Sequence, residues 1–306
     1  MSERWKGLTT RTKFLLIFGG IILLGIILGA AFGSFGKNEA FQPQEEFRLT
    51  PWIAIKIGSI DLSINRAVFY LLLASGLTCW TMIYIGRRMQ AKPNKVQTAV
   101  EASYELTRNN ITYGNLQQPS MAAKWFGFIA TLFFFIWFNN LLGYLPLPTS
   151  HETVNIFGLE VPAFAIYAAT ANISIPLALT LVVWFSYNIE GVRAHGFIGY
   201  LKTFVPGGIT GFAAIPLFVI EVISHFVRII SLSVRLFANI LAGHLLILFM
   251  AGGLVVLLGL PALGVFSLLM AIPFFIFEVA LVATLQAFIF ATLTSIYIGG
   301  ATAEGH

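Results

Sequence analysis

An all-α integral membrane protein is the fold class this sequence predicts, and three observations predict it. Of its 306 residues, 58% are hydrophobic and only 10% are charged. Soluble domains carry about 25% charged residues, so lipid is the natural solvent of such a chain. Six apolar stretches reach the roughly 20 residues that a helix needs to cross a hydrocarbon core. Lys and Arg gather in alternate connections between those stretches, the pattern that sets membrane orientation.

The spans are expected at about 14–35, 67–86, 125–147, 164–189, 213–250 and 263–299. They divide the chain into an extra N-terminal span (1–35), an outer-side segment (36–66) and a membrane domain (67–306). The first span follows Arg4, Lys6, Arg11 and Lys13 and ends near Ala30-Ala31, features it shares with a signal peptide. Its apolar run of about 20 residues is longer than a usual signal core, which favours a retained span.

In the 36–66 segment, Lys37, Arg48, Lys56 and Arg66 are set against Glu39, Glu45, Glu46 and Asp61. Stronger basic clusters on both flanks place it outside. Within it, Ile53, Ile55 and Ile57, then Ile60, Leu62 and Ile64, alternate around Gly58-Ser59, which signals a small hairpin. The connection after the second span holds Arg87, Arg88, Lys92, Lys95, Arg108 and Lys124. From Lys95 to Asn110 it reads as an amphipathic helix on the cytoplasmic surface, with Val96, Val100 and Tyr104 on one side. Arg193 and Lys202 follow the fourth span, whereas His151–Glu160 has two glutamates and no Lys or Arg, and 251–262 is uncharged. Both termini are therefore expected in the cytoplasm.

The last two stretches are too long for a simple span. A 38-residue helix extends about 57 Å against roughly 30 Å of hydrocarbon. Such helices tilt or break, and Gly252-Gly253, Pro261 and Pro273 are candidate breaks. The arrangement suggests a surface laid against something curved.

Several function classes are excluded. The net charge of +5 is spread between apolar runs rather than gathered in a patch, which marks topology and not nucleic-acid binding. The single cysteine, Cys79, supports neither a disulfide framework nor a cysteine metal site. No His-Glu-x-x-His, no Walker-type glycine loop and no nucleophile with a base at useful spacing occurs. The chain is expected to be no enzyme and to hold no cofactor or metal.

The informative stretch runs from Glu221 to His244. Arg235 stands midway along an apolar run, where an arginine costs at least about 2.5–3.5 kcal/mol. At 100° per residue, Glu221, Ser224, Arg228, Ser231 and Asn239 all fall within about 40° of Arg235, forming one polar stripe. His244, nine positions on, faces about 180° away. The last helix offers Glu278, Gln286 and Tyr297, and His244 is the most plausible partner for a buried Glu278. Bland readings stand beside these. Arg235 could pair with Glu221 or a backbone carbonyl, although the cost of its position argues for function. Arg228 could snorkel to the interface. His225 reads as a local hydrogen-bonding residue, His195 as a structural residue in a cytoplasmic loop, and Phe133-Phe134-Phe135 as lipid-facing or packing surface. Asn139 and Asn140 suit either a polar path or helix–helix hydrogen bonding.

The string Ser231-Leu-Ser-Val-Arg235-Leu-Phe-Ala-Asn239, followed by Ala242-Gly243-His244, resembles the signature of subunit a of F-type ATP synthases. So do Thr284-Leu-Gln286-Ala-Phe-Ile-Phe290, Gly191-Val-Arg193-Ala-His195-Gly196 and Thr170-Ala-Asn172-Ile-Ser-Ile. The resemblance runs over about residues 120–300. It implies a proton-translocating stator subunit with two offset half-channels against a rotating ring of c subunits. It also implies peripheral-stalk b subunits as partners and, most simply, a bacterial plasma membrane as the location. The position matching Arg235 attracts each deprotonated ring carboxylate and blocks direct leak. Those matching Asn172, Asn239, His244, Glu278 and Gln286 line the outer half-channel, while Glu221, Arg228 and Ser231 are expected to face the ring or the inner half-channel. Three departures stand out. Asn172 replaces a frequent aspartate, Ala238 replaces a frequent glycine, and Glu278 precedes Gln286 by eight residues where seven are expected. The main rival reading, a self-contained secondary transporter, predicts internal repeats around a midplane site, and no duplicated half is evident.

Overall fold

Local sequence starts and stops each helix of the computed structural model, which describes residues 51–57, 60–61, 63–90, 92–116, 118–156, 159–165, 167–205, 209, 211–250 and 263–303, with Thr9, Thr12, Gly20 and Leu49. Apart from Gly20, the span expected at about 14–35 lies outside the described residues, as do the breaks expected at Gly252-Gly253 and Pro261. The alternating isoleucines form short antiparallel strands. β1 (Pro51–Ile53) pairs with β4 (Ile64–Asn65), and β2 (Lys56–Ile57) with β3 (Ile60–Asp61). Asn65 then caps α1 (Arg66–Arg87), its side chain accepting from the Val68 amide at 3.1 Å, as N-cap asparagines do. Asn94 caps α2 (Lys95–Glu105) in the same way through Gln97 at 2.8 Å, and α2 continues as a π-helical turn, Leu106–Tyr113. Pro119 opens α3 (Pro119–Gly143), where its missing amide costs nothing.

A β-hairpin follows, β5 (Leu147–Ile156) with β6 (Leu159–Ala165), where the sequence reading had an acidic connection. It corrects the fourth span. Expected from about 164, the helix α4 instead runs Ser174–His195 after β6 and a 3-10 turn at Ala169–Ala171. The Asn172 side chain accepts from the Ser174 amide at 3.0 Å, and Pro176 sits in the first turn, where a proline is tolerated. Gly196, at a φ of 71°, ends the helix as a left-handed glycine does. His195 accordingly closes α4 rather than lying in a loop.

After α5 (Phe197–Lys202) and a 3-10 turn (Gly211–Ala213) comes α6 (Ala214–Leu248), 35 residues long. That length is about 52 Å, well over a bilayer core. α7 (Leu263–Phe277) contains Pro273 and passes through a π-helical turn, Glu278–Val282, into α8 (Ala283–Thr302). Among the described residues, five helices are long and apolar enough to cross a membrane: Arg66–Arg87, Pro119–Gly143, Ser174–His195, Ala214–Leu248 and Leu269–Thr302.

The described chain falls into two units, Leu49–Leu241 with Val279–His306, and a second that includes Ala242–Glu278. In the first, α8 packs on α3 and α4, and α1 on α3. Ile129, Leu132, Phe133 and Ile136 of α3 meet Ala287, Phe290 and Ala291 of α8, with Leu232, Leu236 and Ile240 of α6 joining the same core. Small Ala287 and Ala291 let helix backbones approach, the usual device where lipid removes the hydrophobic drive between helices. Polar cross-ties add direction. Trp137 donates to the Thr284 hydroxyl at 3.0 Å, Asn140 to the Ala283 carbonyl at 3.4 Å, and Thr170 to Asn140 at 2.9 Å. Asn140 is thus spent on helix–helix contact.

Candidate functional site

α6 has two faces of different character. Leu232, Leu236 and Ile240 are buried, whereas Ser231, Val234, Arg235, Ala238 and Asn239 are exposed. The apolar residues recur at the helical period and turn toward the core. Arg235 and Asn239 are left on the outward side, four residues apart and so one above the other. The guanidinium donates to the Ser231 hydroxyl at 3.4 Å. Among the described residues no carboxylate pairs with Arg235, and Glu221 belongs instead to Arg228 at 2.8 Å. The bland reading in which Glu221 neutralises Arg235 is therefore not the arrangement adopted.

The backbone beside Arg235 is anchored from α8. Gln286, buried, donates through Nε2 to the Arg235 carbonyl at 2.8 Å. Its amide ties the two long helices at the height of the arginine, although its carbonyl partner is not a proton carrier. Asn172 lies apart from this cluster, turned onto its own backbone at the start of α4.

A second polar group gathers at the N-terminal half of α6. Arg228 donates to Glu221 and lies over the Tyr297 ring at 5.3 Å. His225 is buried, with Nε2 at 3.7 Å from Glu221 Oε1 and Nδ1 at 2.9 Å from the Tyr187 hydroxyl. Glu221, His225, Arg228 and Tyr297 line a cavity of about 380 Å3 that also touches Tyr200, Thr203 and the α8 end at Gly300. Burial pushes the Tyr200 phenol up to about 12, so it stays a donor, here to Asn188 at 3.1 Å.

In the second unit, His244 and Glu278 are both buried. A Cβ on Gly243 would overlap the Glu278 carboxyl, so the glycine next to His244 is what admits that carboxylate. The π-helical turn beginning at Glu278 bears on the eight-residue spacing to Gln286. A π turn takes up about one residue more than an α turn, and such insertions are frequent at functional sites.

Sequence reasoning missed three features. Tyr187 gave no signal, being one aromatic among many. The ion pair of Lys124 with Glu190, which also has Arg193 at 3.8 Å, was hidden because Lys124 read as a topology charge. The hairpin of β5 and β6 did leave a trace in alternating Val154, Ile156 and Val161 around Phe157-Gly158. Among the described residues no group of His, Cys, Asp and Glu is suited to a metal ion.

Comparison with known proteins adds two findings. Residues 68–299 match the family model of the ATP synthase A chain. Proteins named ATP synthase subunit a from Brucella ovis, Brucella canis and Brucella melitensis are each 35% identical over 275 residues, covering 87% of this chain and 100% of the relative.

Proposed function

The chain belongs to the ATP synthase A chain family, and from that membership we propose that it is the proton-translocating stator subunit that sets α6 and α8 against a ring of c subunits. As a member of the family it is an integral membrane subunit of the ATP synthase complex and not its catalytic subunit. One observation carries the finer reading: Arg235 is exposed, without a carboxylate partner among the described residues, in the middle of an apolar helix. A cation in that position is costly unless something arrives to meet it. A ring carboxylate is the fitting partner. It loses its proton, passes Arg235 as an anion, and is reprotonated on the other side.

Two offset aqueous paths supply those exchanges. Asn172, Asn239, His244, Glu278 and Gln286 belong to the outer one. Glu221, Arg228 and Ser231, with the cavity beside Tyr297, belong to the inner one. Each proton crossing 100 mV releases about 2.3 kcal/mol, so several crossings are needed per ATP, which a ring provides. The Lys/Arg bias of the connections supports cytoplasmic termini in a bacterial plasma membrane. Peripheral-stalk b subunits hold the stator against rotation.

The test is Arg235→Ala in assembled membranes. ATP synthesis and ATP-driven proton pumping are both expected to be lost, while ATP hydrolysis by the detached soluble sector persists. Retained coupled pumping would make Arg235 structural and overturn its role opposite a ring carboxylate.

A further inference from the structure

α4, α5 and the first half of α6 enclose a groove of about 470 Å3 that takes no part in the translocation scheme. Sites for small organic ligands occupy about 300–1,000 Å3, so its size suits one. Its wall is built of Trp184, Ile189 and Val192 of α4, Phe197 of α5, and Val222 and Phe226 of α6. The polar residues beside them turn their heteroatoms onto protein. Asn188 donates to the Trp184 carbonyl at 2.7 Å and accepts from the Tyr200 hydroxyl at 3.1 Å, and His225 Nδ1 lies 2.9 Å from the Tyr187 hydroxyl. What faces the groove is hydrocarbon almost throughout.

Its direction and depth identify the occupant. At 100° per residue, Phe226 and Val222 lie about 180° and 140° around α6 from Arg235, so the groove opens away from the face proposed to meet the ring. On that side the natural neighbour of an apolar membrane helix is lipid. Trp184 and Arg193 are nine residues apart on α4, about 14 Å of helix. One leaflet contributes roughly 15 Å of hydrocarbon, so the groove is about as deep as a leaflet. A cation stands at its end: Arg193 lines it from the last turn of α4, with a side chain 67% exposed. The carboxylate near Arg193 is Glu190 at 3.8 Å, which Lys124 already bonds. Exposed Lys202 ends α5, whose exposed Phe197 and Ile198 suit the membrane boundary.

Resting on the ring face and the cytoplasmic orientation proposed above, we propose that this groove binds an anionic glycerophospholipid of the cytoplasmic leaflet, with one acyl chain between α4 and α6 and its phosphate on Arg193. The hydrocarbon wall takes the chain, with Trp184 and Phe226 at its deep end. The planar guanidinium presents paired donors that match two phosphate oxygens, and Lys202 adds positive charge at the same surface. Bulk lipid would fill an apolar groove whatever its headgroup. The cation at the mouth is what makes the site select a negative one.

The probe is phosphatidylglycerol with a photoreactive diazirine near the end of one acyl chain, set against phosphatidylcholine with the same chain. The complete complex is reconstituted into phosphatidylcholine vesicles holding a trace of either probe and illuminated, and labelled residues are read by peptide mass spectrometry. In wild type, labelling at Trp184 and Phe226 is expected to be about fivefold stronger with phosphatidylglycerol, the preference that one cation near an anionic headgroup confers. Arg193→Gln should lower it to the phosphatidylcholine level, and Arg193→Lys should retain most of it. Ile189→Trp, at an exposed position in the wall, should fill the groove and reduce labelling by both probes. Equal labelling by the two probes in wild type means bulk lipid only and overturns the site. So does a groove that neither probe labels, which means that another protein helix covers it. The ring face is read in the same experiment. If Val234 and Asn239 are labelled as strongly as the groove, the reading of α6 against a ring fails, whatever the headgroup preference at Trp184 and Phe226.

Discussion

Removing Lys124 should expose how much the contact of α3 with α4 depends on one buried carboxylate. Glu190 has 4% side-chain exposure, while the Lys124 side chain that bonds it is 50% exposed. Intact, a half-solvated pair of this kind contributes only about 1 kcal/mol. Its loss is a different matter, because a buried charge without its partner costs about 3–5 kcal/mol. Arg193 at 3.8 Å still offsets part of that charge, so Lys124→Met is expected to destabilise by about 2 kcal/mol, roughly a 30-fold change in the folding equilibrium. Adding Glu190→Gln removes the stranded charge and should recover most of the loss. The measurement is heat-induced dissociation of the subunit from the detergent-solubilised complex, across wild type, both single variants and the double variant. If Lys124→Met matches wild type, or the double variant is no better than Lys124→Met, the reasoning about the buried carboxylate is refuted.

Three further outcomes follow from close contacts. Gly243→Val puts a side chain where the Glu278 carboxyl lies. Overpacking of about 1–3 kcal/mol should displace Glu278, and proton pumping should fall while the complex still assembles. Gln286→Leu deletes the bond to the Arg235 carbonyl. Bonds of this kind average about 0.6 kcal/mol in membranes, so assembly should persist with only a several-fold loss of pumping, read in vesicles. Gly143→Leu would bring a Cβ to 2.7 Å from the Ala168 backbone, and the amount of subunit found in membranes by immunoblot should drop sharply.

Much of the architecture was legible because lipid imposes a simple rule. The stretch expected at 213–250 became α6 at Ala214–Leu248, since an apolar run with a polar stripe at helical period admits no competing structure. The stripe's phase was also readable: buried Leu232, Leu236 and Ile240 lie to one side of exposed Arg235 and Asn239. The fourth span slipped because hydrophobicity alone does not separate β6 from the helix that follows it. The decisive marks, Asn172 turning onto Ser174 and Pro176 in the first turn, are local chemistry rather than periodicity. The π-helical turn at Glu278–Val282 leaves no mark in hydropathy, and its one trace in the sequence is the eight-residue spacing of Glu278 and Gln286. Contacts between distant segments, such as Gln286 with the Arg235 carbonyl or Tyr187 with His225, depend on the packing of separate helices and leave no trace in spacing.

The central claim is that the face of α6 bearing Arg235 meets a rotating ring of carboxylate-bearing helices. Cysteine cross-linking tests it directly, in a background where exposed Cys79 is replaced by serine. Single cysteines would be placed at Asn239 and Val234 on the exposed face and at Leu236, 1% exposed, on the buried one. Each would be paired with a cysteine near the ring carboxylate. The account predicts disulfide cross-links from Asn239 and Val234 and none from Leu236. Equal cross-linking at all three positions, or cross-linking from Leu236 alone, would contradict it.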